Sequence, residues 1–121
     1  MVREAIEGMA VRGPYSPAVL GEGRFVFVSG QGPLDAGAYR AGTIEEETQL
    51  TLENVGIVLK TAGSGFEHVV RCGVWLADLN DFAGMNSVYQ SFFLEPRPAR
   101  ATVGANLLVG KVEIDCIALV P

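Results

Sequence analysis

The chain has 121 residues, of which 49% are hydrophobic and 19% charged, and its formal net charge is −5. This length suits one domain, residues 1–121, with a single core, and the apolar content is too high for a disordered chain. The nine Lys and Arg residues are scattered, whereas proteins that bind nucleic-acid phosphates concentrate them on one face. Composition therefore argues against a nucleic-acid partner.

The two cysteines, Cys72 and Cys116, lie inside apolar runs. No CxxC motif or Cys/His ligand spacing accompanies them, and His68 is the sole histidine, so we predict free buried thiols and no metal site. The N-terminal residues lack a hydrophobic signal core, and no apolar stretch approaches the ~20 residues of a membrane span. We therefore expect a cytoplasmic protein with no membrane partner.

The first regular element is a strand at residues 24–29, a segment rich in β-forming residues that ends at Gly30. Its two faces are both apolar, which indicates burial on both sides. Turn signals at residues 32–33 and 36–37 then bracket at most one short strand.

A helix follows, because Thr43 and Glu46 match a capping box and apolar or small residues continue at helical spacing to Ala62. Gly63 supplies its end. The helix is the longest element that the sequence predicts.

Alternation of apolar residues from Val70 to Leu76 predicts the next strand. A second helix is expected to begin with Asn80 or Asp81 as its cap and to stop before Pro96. Strands at 99–103 and 112–120 complete the order β-β-(β)-α-β-α-β-β, an α+β sandwich with two helices.

Two helices cover only one face of such a sheet. Five large apolar residues have the opposite parity to the positions assigned to helix packing: Phe25, Phe27, Trp75, Ile117 and Leu119. A second apolar face needs a partner, and self-association is the economical solution.

Three features could carry chemistry. Arg100 opens a strand, and a half-buried guanidinium there needs an anionic partner. Glu113 and Asp115 interrupt the apolar C-terminal strand on one face, and Tyr15 lies in a loop made rigid by two prolines. Structural interpretations stay open: an ion pair of Arg100 with either carboxylate, a solvated strand edge for the two acids, and packing for Tyr15.

The chain resembles the reactive-intermediate deaminase (Rid/YjgF) family from about Gly13 to Ala118. The order and spacing of several short blocks carry this resemblance: Gly13–Ser16, Phe27–Gln31, Gln49 with Leu52 and Asn54, Asp78–Phe82, Asn86 with Tyr89, Phe92 and Phe93, Pro98–Arg100, and Val112–Ile114.

The resemblance implies a chorismate-mutase-like, α+β fold: a six-stranded mixed sheet with two helices on one face, assembled into a homotrimeric barrel. It also implies a cofactor-independent enzyme whose active sites lie in clefts between subunits. Family members hydrolyse 2-aminoacrylate/2-iminopropanoate and 2-iminobutanoate to 2-keto acids and ammonia. Two other functions remain open, a non-catalytic trimer that binds small carboxylate metabolites and, less favoured by the acidic charge, a ribonuclease.

Residue by residue, the resemblance assigns Arg100 to the substrate carboxylate and the backbone at Thr102 to the imino nitrogen. Glu113 matches the acid that positions or activates water, and Tyr15 and Ser29 match residues that close the pocket. Many family members carry Cys at the position of Thr102, and residues 94–97 form a shorter segment than in the best-known deaminases. The first departure changes the side chain but leaves the backbone contacts possible, and the second bears on substrate range more than on reaction type.

Overall fold

The computed structural model describes all 121 residues as an α+β arrangement of eight strands and two α-helices. The strands are β1 (Val2–Ile6), β2 (Ala18–Glu22), β3 (Arg24–Gln31), β4 (Leu34–Asp35), β5 (Ala38–Tyr39), β6 (Val69–Leu76), β7 (Ala99–Gly104) and β8 (Val112–Val120). The helices are α1 (Ile44–Thr61) and α2 (Phe82–Phe92).

The central sheet is mixed and has the strand order β3-β8-β6-β7, with β6 and β7 parallel and the other pairs antiparallel. The α+β class is confirmed, but the expected six strands are wrong for this sheet, because β1–β2 and β4–β5 form separate two-stranded ribbons. Gly23, at φ 140°, turns the chain between β2 and β3, in a conformation that favours glycine. The β2 strand then packs near Val70 of β6 instead of lengthening the sheet edge.

Helix α1 begins and ends where the sequence predicts. The Thr43 side chain accepts from the backbone of Glu46 and the Glu46 side chain accepts from the backbone of Thr43, which confirms the capping box. Gly63, at φ 81°, follows the helix end. The buried stripe of α1, which includes Leu52, Val55 and Leu59, packs on one face of the sheet together with Met85 and Tyr89 of α2.

The start of α2 differs from the prediction in its capping chemistry. A short 3₁₀ turn (Leu79–Asp81) precedes the helix, and the Asp78 carboxylate accepts from the backbone N–H of Asn80 at 2.9 Å. Asp81 occupies the cap position without a capping hydrogen bond from its side chain. A short polar side chain one turn earlier therefore does the work expected of Asn80 or Asp81.

The second apolar face has the predicted parity. Phe25 lies opposite Leu119 and Phe27 opposite Ile117, while Val28 and Cys116 point to the helices. Phe27 is 72% exposed and Phe25 is 38% exposed, so much of this face lies outside the core. Leu119 is the exception, because it is buried close to Gly23.

The two cysteines are free and buried, as predicted. They lie opposite each other on β6 and β8. Burial raises the pKa of the Cys116 thiol to about 12 and that of Cys72 also lies above its ordinary value. Both thiols are therefore protonated at neutral pH and unreactive as nucleophiles.

A buried carboxylate joins three segments at the far end of the sheet. Glu47 in the first turn of α1 accepts hydrogen bonds from the Tyr39 hydroxyl at 2.8 Å, the Lys111 backbone at 2.8 Å and the Gly42 backbone at 3.2 Å. The Lys111 ammonium lies 3.1 Å away. Burial acts to raise the pKa of Glu47, but these hydrogen bonds outweigh it and hold the pKa below its ordinary value.

We expect Glu47→Gln to lower the free energy of unfolding by about 2–3 kcal/mol at pH 7, because the amide replaces an acceptor with donors and leaves buried partners unpaired. A lowered folded-state pKa stabilises the protein above the unfolded-state pKa, and this stability is lost as pH falls through the folded value. Urea denaturation should therefore show that the difference in the free energy of unfolding between the wild type and Glu47→Gln becomes smaller at acidic pH. The exposed neighbour Glu45 provides a matched control, with Glu45→Gln changing stability by less than about 0.5 kcal/mol; equal effects of the two changes would contradict this account.

Candidate functional site

The loop that carries Tyr15 is fixed to the start of β7. The Ser16 backbone donates to the carbonyl of Pro98 at 3.0 Å and the Ser16 hydroxyl donates to the carbonyl of Arg97 at 2.5 Å. Ser16 also forms an isolated parallel bridge with Ala99. These bonds hold Tyr15 beside the next residue of β7, Arg100.

Arg100 lies on the helix-facing side of the sheet. Its guanidinium carbon is 4.9 Å from the centre of the Tyr15 ring, 4.8 Å from that of Tyr89 and 5.7 Å from that of Phe82. Aromatic faces attract a cation at such distances. Its Nη1 also donates to the Asn86 side chain at 2.8 Å, so the ring contacts and one hydrogen bond together fix the guanidinium.

The remaining donors of Arg100 have no partner within the chain. Its Nε and Nη2 atoms are buried and make no hydrogen bond. Burial lowers the pKa of the guanidinium, although arginine stays protonated at neutral pH. Since Nε–H and Nη2–H lie along one edge of the planar group, the unpaired edge matches the two oxygens of a carboxylate.

This edge belongs to a cavity of about 490 Å³, which we call the Arg100 pocket. The pocket is lined by Arg12, Tyr15, Leu79, Phe82, Arg100 and Thr102. Thr102 follows Arg100 by two residues on the same side of β7, and its hydroxyl is buried without a hydrogen bond. No group of three or more His, Cys, Asp or Glu side chains that could hold a metal ion comes together in the structure.

Glu113 and Ser29 lie away from this pocket. Glu113 is paired with Trp75 on the opposite face of the sheet, and its carboxylate lies over Gly30, where an added Cβ would come within 2.5 Å of Oε2. Ser29 is the exposed neighbour of Gly30. The structure thus brings Tyr15, Arg100 and Thr102 together and leaves Ser29 and Glu113 as a second group.

The opposite faces also exclude the internal ion pair that the sequence left open. Arg100 forms no ion pair with Glu113 or Asp115, and β6 separates their strands. Asp115 instead accepts a hydrogen bond from the Gly73 backbone at 2.9 Å. The positive charge of Arg100 is therefore uncompensated within the chain.

Asn86 was not among the predicted site residues, although it contacts Arg100 directly. It lies one helical turn after Phe82 and next to Met85, on the side of α2 that meets β7. The sequence signal that could have identified Asn86 as a site residue is its polar side chain on an otherwise apolar helix face.

Comparison with known proteins identifies the family. The sequence model described as endoribonuclease L-PSP, which represents the Rid/YjgF proteins, matches residues 5–120. The chain belongs to the Rid/YjgF family. It is 44% identical over 114 residues to the 2-iminobutanoate/2-iminopropanoate deaminase of Capra hircus, a match that covers 91% of this chain and 82% of the relative.

Two further Rid/YjgF relatives extend the comparison. The protein mmf2, mitochondrial, of Schizosaccharomyces pombe is 45% identical over 111 residues, covering 88% of this chain and 87% of that protein. The crystal structure of RidA from an Antarctic Psychrobacter species superposes with a TM-score of 0.74 at 36% identity and covers 91% of each chain. The α+β fold of the single chain, with two helices and a mixed sheet, is thereby confirmed.

None of the helices in the structure is both long enough and apolar enough to cross a bilayer. The name of the fission-yeast relative assigns that protein to mitochondria. A cytoplasmic location for this chain stays a prediction.

Proposed function

We propose that this protein hydrolyses 2-imino acids to 2-keto acids and ammonia. The observation that carries the proposal is the buried edge of Arg100, with two unpaired N–H donors facing a pocket of small-molecule size. A 2-imino acid offers the planar carboxylate that such an edge binds through two charge-assisted hydrogen bonds. The deaminase named among the relatives, at 44% identity, supports the same reaction.

The substrate would extend from Arg100 along β7 toward Thr102. The β7 strand is an edge strand of the sheet, so beyond the Ser16 bridge at Ala99 the backbone groups on its outer side are not used in pairing. In this proposal they orient the imino nitrogen, while Tyr15 and Phe82 exclude water around the carboxylate. Fixing both ends of the substrate presents its C2 atom to an attacking water.

The reaction then requires a base. Glu113 would accept a proton from water as the water oxygen bonds to C2 of the protonated imine and the π electrons of the C2–N bond move to nitrogen, giving a neutral tetrahedral carbinolamine. Glu113 then returns this proton to nitrogen, and the C2–N bond breaks as ammonia leaves with the bonding electron pair. The hydroxyl proton passes to Glu113 as the C2–O bond becomes the carbonyl of the 2-keto acid. The imine carbon is already electrophilic, so positioning supplies much of the required acceleration.

Glu113 and Ser29 would reach the Arg100 pocket from a neighbouring subunit. Their position on the other face of the sheet rules out a single-chain site, and the exposed Phe25 and Phe27 on that face provide apolar surface for association. A homotrimer in which each subunit contributes one group of residues to each of two sites accounts for both observations.

A coupled assay, in which a second enzyme generates the imine, tests the proposed function. A threonine dehydratase supplies 2-iminobutanoate, and we expect this protein to accelerate the appearance of 2-oxobutanoate in proportion to its concentration. A rate equal to the uncatalysed rate, together with Arg100-dependent binding of 2-oxobutanoate, would support the non-catalytic carboxylate binder instead. The net charge of −5 makes RNA an unfavourable substrate, so added RNA should remain intact.

A further inference from the structure

A second arginine borders the Arg100 pocket. Arg12 is one of its six lining residues. The Arg12 backbone N–H donates to the Tyr15 hydroxyl at 3.3 Å, and the same Tyr15 ring lies 4.9 Å from the guanidinium carbon of Arg100. Tyr15 therefore separates the two arginines at the pocket, with Arg100 buried behind its ring and Arg12 at the exposed rim.

The Arg12 side chain is free within the chain. It is exposed and forms no hydrogen bond and no ion pair; the four ion pairs of the structure involve Arg40, His68, Arg97 and Lys111. The chain has 14 acidic residues against nine basic ones, so an ordinary surface arginine could form an ion pair with a nearby carboxylate. The Arg100 pocket has none among its lining residues.

The pocket is therefore cationic in an acidic protein. Within one chain it combines two positive charges with no negative charge, and its walls at Leu79 and Phe82 are apolar. The first carboxylate of a ligand satisfies the buried donors of Arg100. The rim charge of Arg12 is unused by a substrate that has only one carboxylate.

From this pair of arginines we infer that the preferred substrates are 2-imino dicarboxylates, with Arg12 binding the second carboxylate. The inference rests on the proposed imine hydrolysis and specifies its substrate class. Water adds its oxygen to C2, the nitrogen leaves as ammonia and the second carboxylate is unchanged, so the product is a 2-keto dicarboxylate. A reaction that oxidises the C–N bond of an acidic amino acid would supply such a substrate.

The test compares two four-carbon imines that differ only at the far end. A flavin amino-acid oxidase generates 2-iminosuccinate from aspartate and 2-iminobutanoate from 2-aminobutanoate, and competition with semicarbazide reports the hydrolysis rate. We expect the ratio of kcat/KM for 2-iminosuccinate over 2-iminobutanoate to exceed one and to fall about tenfold in Arg12→Gln, as for loss of one charge-assisted hydrogen bond. Lys60→Gln removes an equal charge from the exposed end of α1 and should leave both rates unchanged.

Binding of product analogues separates the two proposals. We expect 2-oxoglutarate to bind more tightly than 2-oxopentanoate, and Arg12→Gln to abolish the difference. Hydrolysis of both imines with a ratio that Arg12→Gln leaves unchanged would overturn the dicarboxylate inference and preserve the proposed function. Absence of hydrolysis with an Arg12-dependent preference for 2-oxoglutarate would overturn the proposed function and the substrate class with it, and would leave Arg12 as a residue that binds the second carboxylate of a ligand. Equal binding of the two keto acids would overturn the inference in either case.

Discussion

Arg100→Ala is expected to abolish measurable hydrolysis of 2-imino acids. The substitution removes the only buried cation of the Arg100 pocket and the donors Nε and Nη2 that would bind the substrate carboxylate. Loss of one partner of a desolvated charge pair costs about 2–5 kcal/mol, or roughly 30- to several-thousand-fold in kcat/KM. Steady-state kinetics with enzymatically generated 2-iminobutanoate measures this loss.

The fold should survive the change, because Arg100 has no ion pair in the chain and its one strong hydrogen bond goes to Asn86. Arg100→Lys keeps the charge but loses the planar fork, so we expect it to restore only part of the activity. Urea denaturation and light scattering provide the controls. Wild-type hydrolysis by a folded Arg100→Ala protein would refute the role of Arg100 as the carboxylate anchor, whereas loss of folding together with activity would indicate a structural role.

Glu113→Gln is expected to slow imine hydrolysis by about 10²–10⁴-fold, the usual contribution of general acid–base catalysis. The amide keeps the size of the side chain but cannot accept the proton of the attacking water. Binding of 2-oxobutanoate should change little, since Arg100 supplies the carboxylate contact. The measurement is therefore the separate effect on kcat and on keto-acid affinity.

Asp115 offers a matched control for Glu113. It lies two residues along β8 on the same face, but its carboxylate accepts a hydrogen bond from the Gly73 backbone, and an asparagine oxygen can accept the same bond. Asp115→Asn should therefore retain turnover within a few-fold. Unchanged turnover in Glu113→Gln would assign Glu113 a structural role at Gly30 instead of a chemical one.

Local signals in the sequence predicted most elements correctly. The capping box at Thr43 and Glu46 and the glycine at Gly63 define the ends of α1 by backbone hydrogen bonding, which depends on neighbouring residues alone. The parity of β8 likewise separated core residues from Glu113 and Asp115. Such features can be predicted from the sequence because the residues that cause them lie close together along the chain.

Long-range features were harder to predict. The sequence did not reveal that β1 and β2 form a separate ribbon, because the turn at Gly23 and the packing of β2 near Val70 depend on tertiary contacts. The alternation of residues within one strand also does not determine which of its sides lies on the same sheet face as a given side of another strand. Only the strand order places Arg100 and Glu113 on opposite faces, and only the folded loop brings Arg12 to the same pocket as Arg100.

The division of the candidate residues between two faces is the central feature of this account, and mixing two inactive variants tests it most directly. Co-expression of Arg100→Ala chains with Glu113→Gln chains should produce trimers in which some sites combine an intact Arg100 with an intact Glu113 of the neighbouring subunit. For random assembly at equal amounts, about one quarter of all sites are complete, so about a quarter of the wild-type hydrolysis rate should return. Native mass spectrometry verifies the mixed assemblies against the 12.9 kDa mass of one chain. Mixed trimers that stay inactive, or chains that remain monomeric, would contradict a site shared between subunits.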